Sequence, residues 1–218
     1  RYSSAVYVFQ GRSEIPTSLN LADADLQIIT PNPPIDVVGA DLDRDGRGDL
    51  VIGYNASAPE RRQWDVIQGP LSFPVKTIHS NVSAIRKIIG PLSDYSAMEV
   101  GDLDEDGWQD LVLTQGRFTP PEADILFGKE DFPTTWDLRT TSADVRILVS
   151  SYSITAGTFN AVPCGDLNGD HRSELLISFV STTTLPGGGI LEPRALGDFY
   201  LMEGSLLTPG RRISGDPS

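Results

Sequence analysis

Three acidic loops of one design, each followed by a short apolar run, constrain this chain more than any other feature. They span residues 41–49, 102–110 and 166–174, and each carries oxygen-bearing side chains at its positions 1, 3, 5 and 9. A loop this short can wrap its oxygens around one hard cation, and Ca²⁺ accepts about six to eight oxygen ligands in flexible geometry. The sequence therefore predicts up to three calcium sites.

The expected ligands are the side-chain oxygens of positions 1, 3, 5 and 9 and the backbone carbonyl of position 7. They belong to Asp41, Asp43, Asp45, Arg47 and Asp49; to Asp102, Asp104, Asp106, Trp108 and Asp110; and to Asp166, Asn168, Asp170, Arg172 and Glu174. Position 6 should need a positive φ, which suits Gly46 and Gly107, but His171 stands there in the third loop. We expect the third site to be the weakest of the three.

Calcium loops of helical families do not fit this pattern. An EF-hand loop needs an acidic residue at position 12 and a helix on each side. Position 12 is occupied here by Ile52, Leu113 and Ile177. A dockerin-type loop fails as well, because strand-like segments follow each copy. The acidic loops therefore belong to a β-rich chain.

A glycine closely preceded by an aromatic or apolar residue recurs in step with the loops, which begin 61 and 64 residues apart. The glycines are Gly11, Gly69, Gly128 and Gly204, and prolines follow the first three at Pro16, Pro74 and Pro133. The last interval is longer, because it holds a Ser/Thr run at 181–184 and glycines at 187–189, which we interpret as a loop insertion. The chain therefore consists of repeats of about 60 residues.

Short segments rich in β-branched residues and bounded by turn formers indicate four β-strands in each repeat. Residues 35–40 and 50–54 flank the first loop, and we expect residues 76–78 and 145–148 to form the fourth strands of two repeats. The strands next to a loop are apolar at successive positions, which predicts burial on both faces. Four-stranded sheets packed radially in a β-propeller bury their inner strands in this way. The predicted fold is all-β.

The loop pattern D-x-D-x-D-G-x-x-D and the Phe127-Gly128 pair resemble the FG-GAP repeats of the integrin α-subunit-type β-propeller. The resemblance covers essentially the whole chain, although Gln10, Gln68 and Glu203 interrupt the other Phe-Gly positions. It implies four-stranded blades with Ca²⁺ in the turn between the first two strands of a blade. It also places the usual partner surface on the opposite face.

Within a single FG-GAP propeller region at residues 1–218, the strand order predicts one outer half-blade and three blades. The half-blade spans 1–30, and the blades span 35–90, 96–150 and 160–214, the last with the loop insertion. A closed ring has about four to eight blades. We therefore expect these three and a half blades to belong to a larger propeller or to be completed by another chain.

The net negative charge of the chain limits the kinds of partner that it can bind. The chain has 17 basic and 30 acidic residues, a net charge of −13, and 11 of its carboxylates lie in the three loops, so that three Ca²⁺ ions would bring the charge to −7. This excess argues against nucleic acid as a partner. The segment contains no apolar run of membrane-spanning length, so we expect no membrane insertion. Weak calcium sites would be filled outside the cytosol, which predicts a secreted or cell-surface protein.

The resemblance implies an adhesion or protein-interaction module with structural Ca²⁺ and a protein or glycan ligand, since the fold alone hosts many activities. Trp108 is the best candidate for a ligand contact. Only two histidines are present, and we expect no enzymatic activity. The alternatives are a non-catalytic part of a carbohydrate-active propeller enzyme and a self-associating structural subunit of an extracellular assembly. Asn55 and Asn81 begin glycosylation acceptor patterns.

Overall fold

The chain is all-β, as predicted. The computed structural model describes residues 4–14, 17–56, 62–71, 77–80, 84, 86–90, 95–115, 121–149, 157–181, 196–202, 204–207 and 211–215. These residues form sixteen β-strands and two 3₁₀ helices of three residues, Leu21–Asp23 and Gly204–Leu206. Within the same residues, no helix is long and apolar enough to cross a membrane.

The strands fall into four sheets. In chain order they are β1 (Ser4–Val8), β2 (Leu26–Thr30), β3 (Pro34–Ala40), β4 (Asp49–Tyr54), β5 (Gln63–Ile67), β6 (Thr77–His79), β7 (Arg86–Ile89), β8 (Tyr95–Gly101), β9 (Asp110–Gln115), β10 (Glu122–Leu126), β11 (Thr135–Asp137), β12 (Val145–Val149), β13 (Gly157–Pro163), β14 (Leu175–Ser181), β15 (Leu196–Met202) and β16 (Arg211–Gly215). The first sheet has the order β1-β2-β6 and the second β3-β4-β5-β7-β11. The third has the order β8-β9-β10-β12-β16, and the fourth β13-β14-β15.

Three apolar cores lie between successive sheets. Central members are Ile28 and Ile52 between the first and second sheets, Val51 and Leu111 between the second and third, and Val112 and Phe159 between the third and fourth. All six side chains are fully buried. Val51 and Ile52 are adjacent in the chain but belong to different cores, because successive side chains of a strand point to opposite faces. The prediction of burial on both faces is therefore confirmed for β4 and β9, which follow the first two loops. It is wrong for β3, which precedes the first loop, because Ile35 and Val37 on one of its faces are exposed.

Each of the first three sheets ends in a short strand that comes from the following repeat. β6 pairs with β2, β11 with β7 and β16 with β12, and these three pairings are parallel. The other strand pairs of the four sheets are antiparallel. The chain thus returns from each sheet to the outer edge of the preceding one.

This return corrects one prediction. Residues 76–78 were expected to form a fourth strand in their own repeat, but β6 belongs to the preceding sheet. The fourth strand of that repeat is β7, which pairs with β5. Residues 145–148 do form a fourth strand, since β12 pairs with β10. A strand of three residues is too short to show a periodicity, so its sheet could not be assigned from the sequence.

Several predicted features lie outside the described residues. They are Pro16 and Pro74 of the proline marker, the acceptor pattern at Asn81, most of the loop insertion, and Glu203. Asn55 is described and is exposed, but the serine of its acceptor pattern lies outside the described residues as well.

Candidate metal centre

The three acidic loops share one backbone conformation. Positive φ values occur at positions 4 and 6 of each loop: at Arg44 (55°) and Gly46 (79°), at Glu105 (56°) and Gly107 (87°), and at Gly169 (81°) and His171 (67°). The positive φ predicted at position 6 is confirmed in all three loops. The third loop has its glycine at position 4 instead of position 6, so each loop places one glycine and one other residue in this region. The third loop therefore has one non-glycine residue at positive φ, His171, just as the first and second loops have Arg44 and Glu105.

The carboxylate of position 1 closes each loop by accepting backbone N–H groups. Asp41 accepts the N–H of Asp45 at 3.1 Å and that of Gly46 at 2.9 Å. The equivalent bonds to position 6 are Gly107 N to Asp102 Oδ2 at 3.1 Å and His171 N to Asp166 Oδ2 at 3.0 Å. A carboxylate that accepts backbone donors inside a tight turn fixes the direction of its remaining lone pairs.

The carboxylate of position 5 also accepts a backbone N–H group. Its Oδ1 accepts the N–H of position 7 in the pairs Asp45–Arg47 at 2.8 Å, Asp106–Trp108 at 2.8 Å and Asp170–Arg172 at 3.0 Å. Position 7 thus contacts the cluster through its backbone, which explains why residues as different as arginine and tryptophan occupy it. The predicted role of its carbonyl as a ligand stays a prediction. The Trp108 side chain is half-buried.

Three carboxylates converge in each loop. One oxygen from each of Asp41, Asp43 and Asp45 lies within 4.8 Å of the other two, and Asp102, Asp104 and Asp106 are arranged alike. In the third loop the group is Asp166, Asp170 and Glu174. Because Ca–O distances are about 2.3–2.6 Å, oxygens on opposite sides of one Ca²⁺ lie about 4.6–5.2 Å apart. Each cluster therefore has the dimensions for one ion, and a donor set of oxygens alone suits Ca²⁺, Mg²⁺ or Mn²⁺.

Two oxygens of these clusters are buried and have no hydrogen-bond donor, Asp43 Oδ1 and Asp102 Oδ1. A buried carboxylate oxygen without a partner is costly. Burial, assisted by the charge of Asp106, raises the pKa of Asp102 and of Asp104. A divalent cation at the cluster would give these oxygens a partner and offset the repulsion among the carboxylates. The residues of the first two loops therefore fit the predicted ion.

Position 9 ties each loop to its sheet. Asp49 and Asp110 are buried and lie outside the two clusters of positions 1, 3 and 5. Asp110 accepts the N–H of Leu103 at 2.7 Å and that of Gly128 at 2.9 Å. Asp49 accepts the corresponding bonds from position 2 at 3.2 Å and from the marker glycine at 2.9 Å. Burial raises the pKa of Asp110 to about 8, since it outweighs the effect of these two donors.

The glycine marker is explained by a close backbone approach. A Cβ at Gly128 would lie 2.5 Å from the carbonyl oxygen of Gln109, which is position 8 of the second loop. At Gly69 and Gly204, a Cβ would lie 2.5 Å and 2.6 Å from the position-8 carbonyl oxygens of the first and third loops. The two sequence markers, loop and glycine, are therefore halves of one structure in which a third strand ends against the loop.

The third loop differs in exposure and charge. Asp166, Asn168 and Asp170 are exposed, whereas positions 1 and 3 of the other loops are half-buried. Although burial acts in the opposite direction, backbone N–H groups of Gly169, His171 and Asp170 lower the pKa of Asp166. The longer side chain of Glu174 brings position 9 into this cluster, where it also accepts a 3.1 Å bond from Asn168 Nδ2. This loop carries its charge more easily without a cation than the second loop does.

Comparison with known proteins adds no family to this picture. No protein-family model matches the chain, and no curated protein is similar to it at a significant level.

Proposed function

We propose that this chain is a calcium-stabilised repeat module in which each acidic loop binds one Ca²⁺ between the first two strands of a sheet. The observation that carries the proposal is the convergence of three carboxylates in a loop conformation that occurs three times. The buried oxygens of Asp43 and Asp102 support it in the first two loops. The third site is proposed to be the weakest, because three of its predicted ligands, Asp166, Asn168 and Asp170, are exposed.

We propose further that the four sheets are consecutive blades of an FG-GAP-type β-propeller. Three features support this arrangement. Successive sheets pack face to face through apolar cores. The first strands of the second, third and fourth sheets, β3, β8 and β13, are neighbours in space. The position-2 leucines, Leu42 and Leu103, each join the core shared with the next sheet.

The position-2 leucine of the third loop supports a further sheet. Leu167 is 62% exposed, whereas its equivalents Leu42 and Leu103 are fully buried. Leu201 and Leu206 of the same region are exposed too. Exposed apolar side chains at the position of two internal interfaces are typical of a contact surface. We propose that another sheet of this repeat class covers it, contributed by a larger propeller or by a second copy of the chain.

For the biological role we propose extracellular adhesion or protein interaction, with a protein or glycan ligand and no catalysis by this chain. The resemblance to integrin-type propellers supports this role and implies a partner surface opposite the ion loops. Residues 57–61, 116–120 and 182–195, which connect strands in three of the repeats, lie outside the described residues. A structural-subunit role is favoured by the exposed surface at Leu167.

The proposal predicts that removal of Ca²⁺ lowers the melting temperature. An ion at about ten times its dissociation constant stabilises the folded state by about 1.4 kcal/mol, so three ions add about 4 kcal/mol. For a chain of this size, that amounts to a rise of about 10 °C. The measurement is thermal unfolding followed by circular dichroism, first in EDTA and then in millimolar CaCl₂.

Two matched variants test whether the calcium-dependent rise in melting temperature comes from the acidic loops. Asp104→Asn removes a carboxylate from the second cluster and should reduce the calcium-dependent rise by about one third. Asp131→Asn is the control, because Asp131 is an exposed carboxylate outside the loops. Equal melting temperatures in EDTA and CaCl₂ would refute the proposed function.

A further inference from the structure

The first and second loops touch one another through three hydrogen bonds. The backbone N–H of Asp41 donates to Gln109 Oε1 at 2.6 Å, and the N–H of Gln109 donates to the Asp41 carbonyl at 3.4 Å. The guanidinium of Arg44 donates to the Asp106 carbonyl at 3.0 Å. It also lies against Gly107, where a Cβ would approach Arg44 Cζ to 2.8 Å. The bonds therefore join one carboxylate-cluster residue of each loop, Asp41 or Asp106, to a neighbouring residue of the other loop.

The second and third loops lack these bonds among the described residues, and the sequence explains the difference. The residues that form the contact are position 4 of one loop and position 8 of the next. At the boundary between the second and third loops these positions hold Glu105 and Ser173. A glutamate cannot donate to a carbonyl, and a serine side chain is much shorter than that of glutamine. The chain thus contains one linked and one unlinked pair of loops.

We propose that the first and second loops bind Ca²⁺ with positive cooperativity, and that Arg44 and Gln109 transmit the coupling. This inference rests on the proposed calcium function and extends it to the regulation of the sites. Arg44 and Gln109 act as positioning residues, because they hold the backbone of ligand-bearing loops instead of contacting an ion through their own side chains.

The coupling should be positive, because an ion in one loop also orders the backbone of the other loop. A Ca²⁺ ion in the first loop fixes the backbone at positions 1 and 4, and these are the positions that hold Gln109 and the Asp106 carbonyl. The second loop then loses less conformational freedom when it binds its own ion. Repulsion between the two ions opposes this effect and is weakened by salt. By linkage, the second ion must strengthen binding of the first by the same factor.

Trp108 allows the second site to be observed alone, because it is position 7 of that loop and arginine occupies position 7 in the other two. Tb³⁺ bound in the second loop should therefore emit when Trp108 is excited, and competition by Ca²⁺ gives the calcium affinity of this site. Trp108→Phe controls for emission sensitised by Trp64 or Trp136.

The test compares this affinity in wild type and in variants with one other loop disabled. Asp43→Asn with Asp45→Asn disables the first loop but keeps Asp41, which bonds to Gln109. We expect the calcium affinity of the second site to fall about five-fold. Asp170→Asn disables the third loop and should leave that affinity unchanged. In an Arg44→Ala, Gln109→Ala background, disabling the first loop should also leave it unchanged.

Arg44→Ala alone is the safer background, because Arg44 is exposed and its replacement should not disturb folding; there the five-fold fall should be reduced. Three results would overturn the proposal. One is a calcium affinity of the second site that does not change when the first loop is disabled. Another is a fall in that affinity that is equally large in the Arg44→Ala background. The third is the absence of Trp108-sensitised emission that Ca²⁺ displaces, which would refute the proposed calcium function as well.

Discussion

Gly128→Ala should destabilise the folded chain by about 3 kcal/mol, whereas Gly48→Ala should leave its stability unchanged or slightly higher. A Cβ at Gly128 meets the Gln109 carbonyl oxygen at 2.5 Å and the Trp108 Cβ at 2.8 Å. The strand end must therefore move away from the loop, and the 2.9 Å bond from Gly128 N to the buried Asp110 is lost or stretched. Overpacking and a lost bond to a buried carboxylate each cost about 1–3 kcal/mol.

Gly48 is the matched control because it is a loop glycine with open space around its Cα. No atom lies within 4 Å of a Cβ placed there. Alanine at such a position reduces the freedom of the unfolded chain, which stabilises by about 0.4–1 kcal/mol. Urea unfolding in CaCl₂ and again in EDTA measures both variants. Equal stabilities of the two variants would contradict the close approach between glycine marker and loop.

Leu103→Ala should cost about 3 kcal/mol, and Leu167→Ala less than about 0.5 kcal/mol. Both leucines occupy position 2 of an acidic loop, but Leu103 is fully buried in the core between the third and fourth sheets, and Leu167 is 62% exposed. Truncating a buried leucine removes transferred apolar surface and leaves a cavity, which costs about 2–5 kcal/mol. The same urea titrations measure this difference, and similar losses for both variants would contradict the assigned sheet packing.

The surface around Leu167 can be tested on the same protein. If a second copy of the chain covers it, sedimentation of the wild type should depend on concentration. Leu167→Glu should abolish this dependence without changing the monomer's unfolding midpoint. A concentration-dependent association that survives Leu167→Glu would place the contact elsewhere.

The sequence predicts the strands that follow the first two loops well, because apolar runs such as residues 50–54 favour burial on both faces. It fails for β3, whose apolar residues Ile35 and Val37 lie on an exposed face. The clusters of positions 1, 3 and 5 are predicted equally well, because a D-x-D-x-D spacing in a tight turn brings the carboxylates together. The positive φ at position 6 is evident from Gly46 and Gly107. The positive φ at position 4 is not, since Arg44 and Glu105 are unusual there, and Gly169 of the third loop is the only signal.

Two features could not be found from the sequence. The parallel return strands β6, β11 and β16 pair with a sheet formed by the preceding repeat, and β6 and β11 have only three residues each. No local pattern encodes such a distant partner. The second feature is a further role of position 9: Asp110 stays a predicted metal ligand, and the structure also gives both of its oxygens backbone donors, Leu103 and Gly128. Its link to the glycine marker depends on a tertiary contact that spacing alone does not show.

The most direct test of the central claim is the calcium stoichiometry of the chain, measured by isothermal titration calorimetry after removal of metal. We expect up to three Ca²⁺ ions per chain, with the third bound most weakly. One ion should be lost in each of the variants Asp43→Asn with Asp45→Asn and Asp104→Asn with Asp106→Asn. A chain that binds no Ca²⁺, or that binds the same number of ions after these substitutions, would contradict the claim that the acidic loops are its calcium sites.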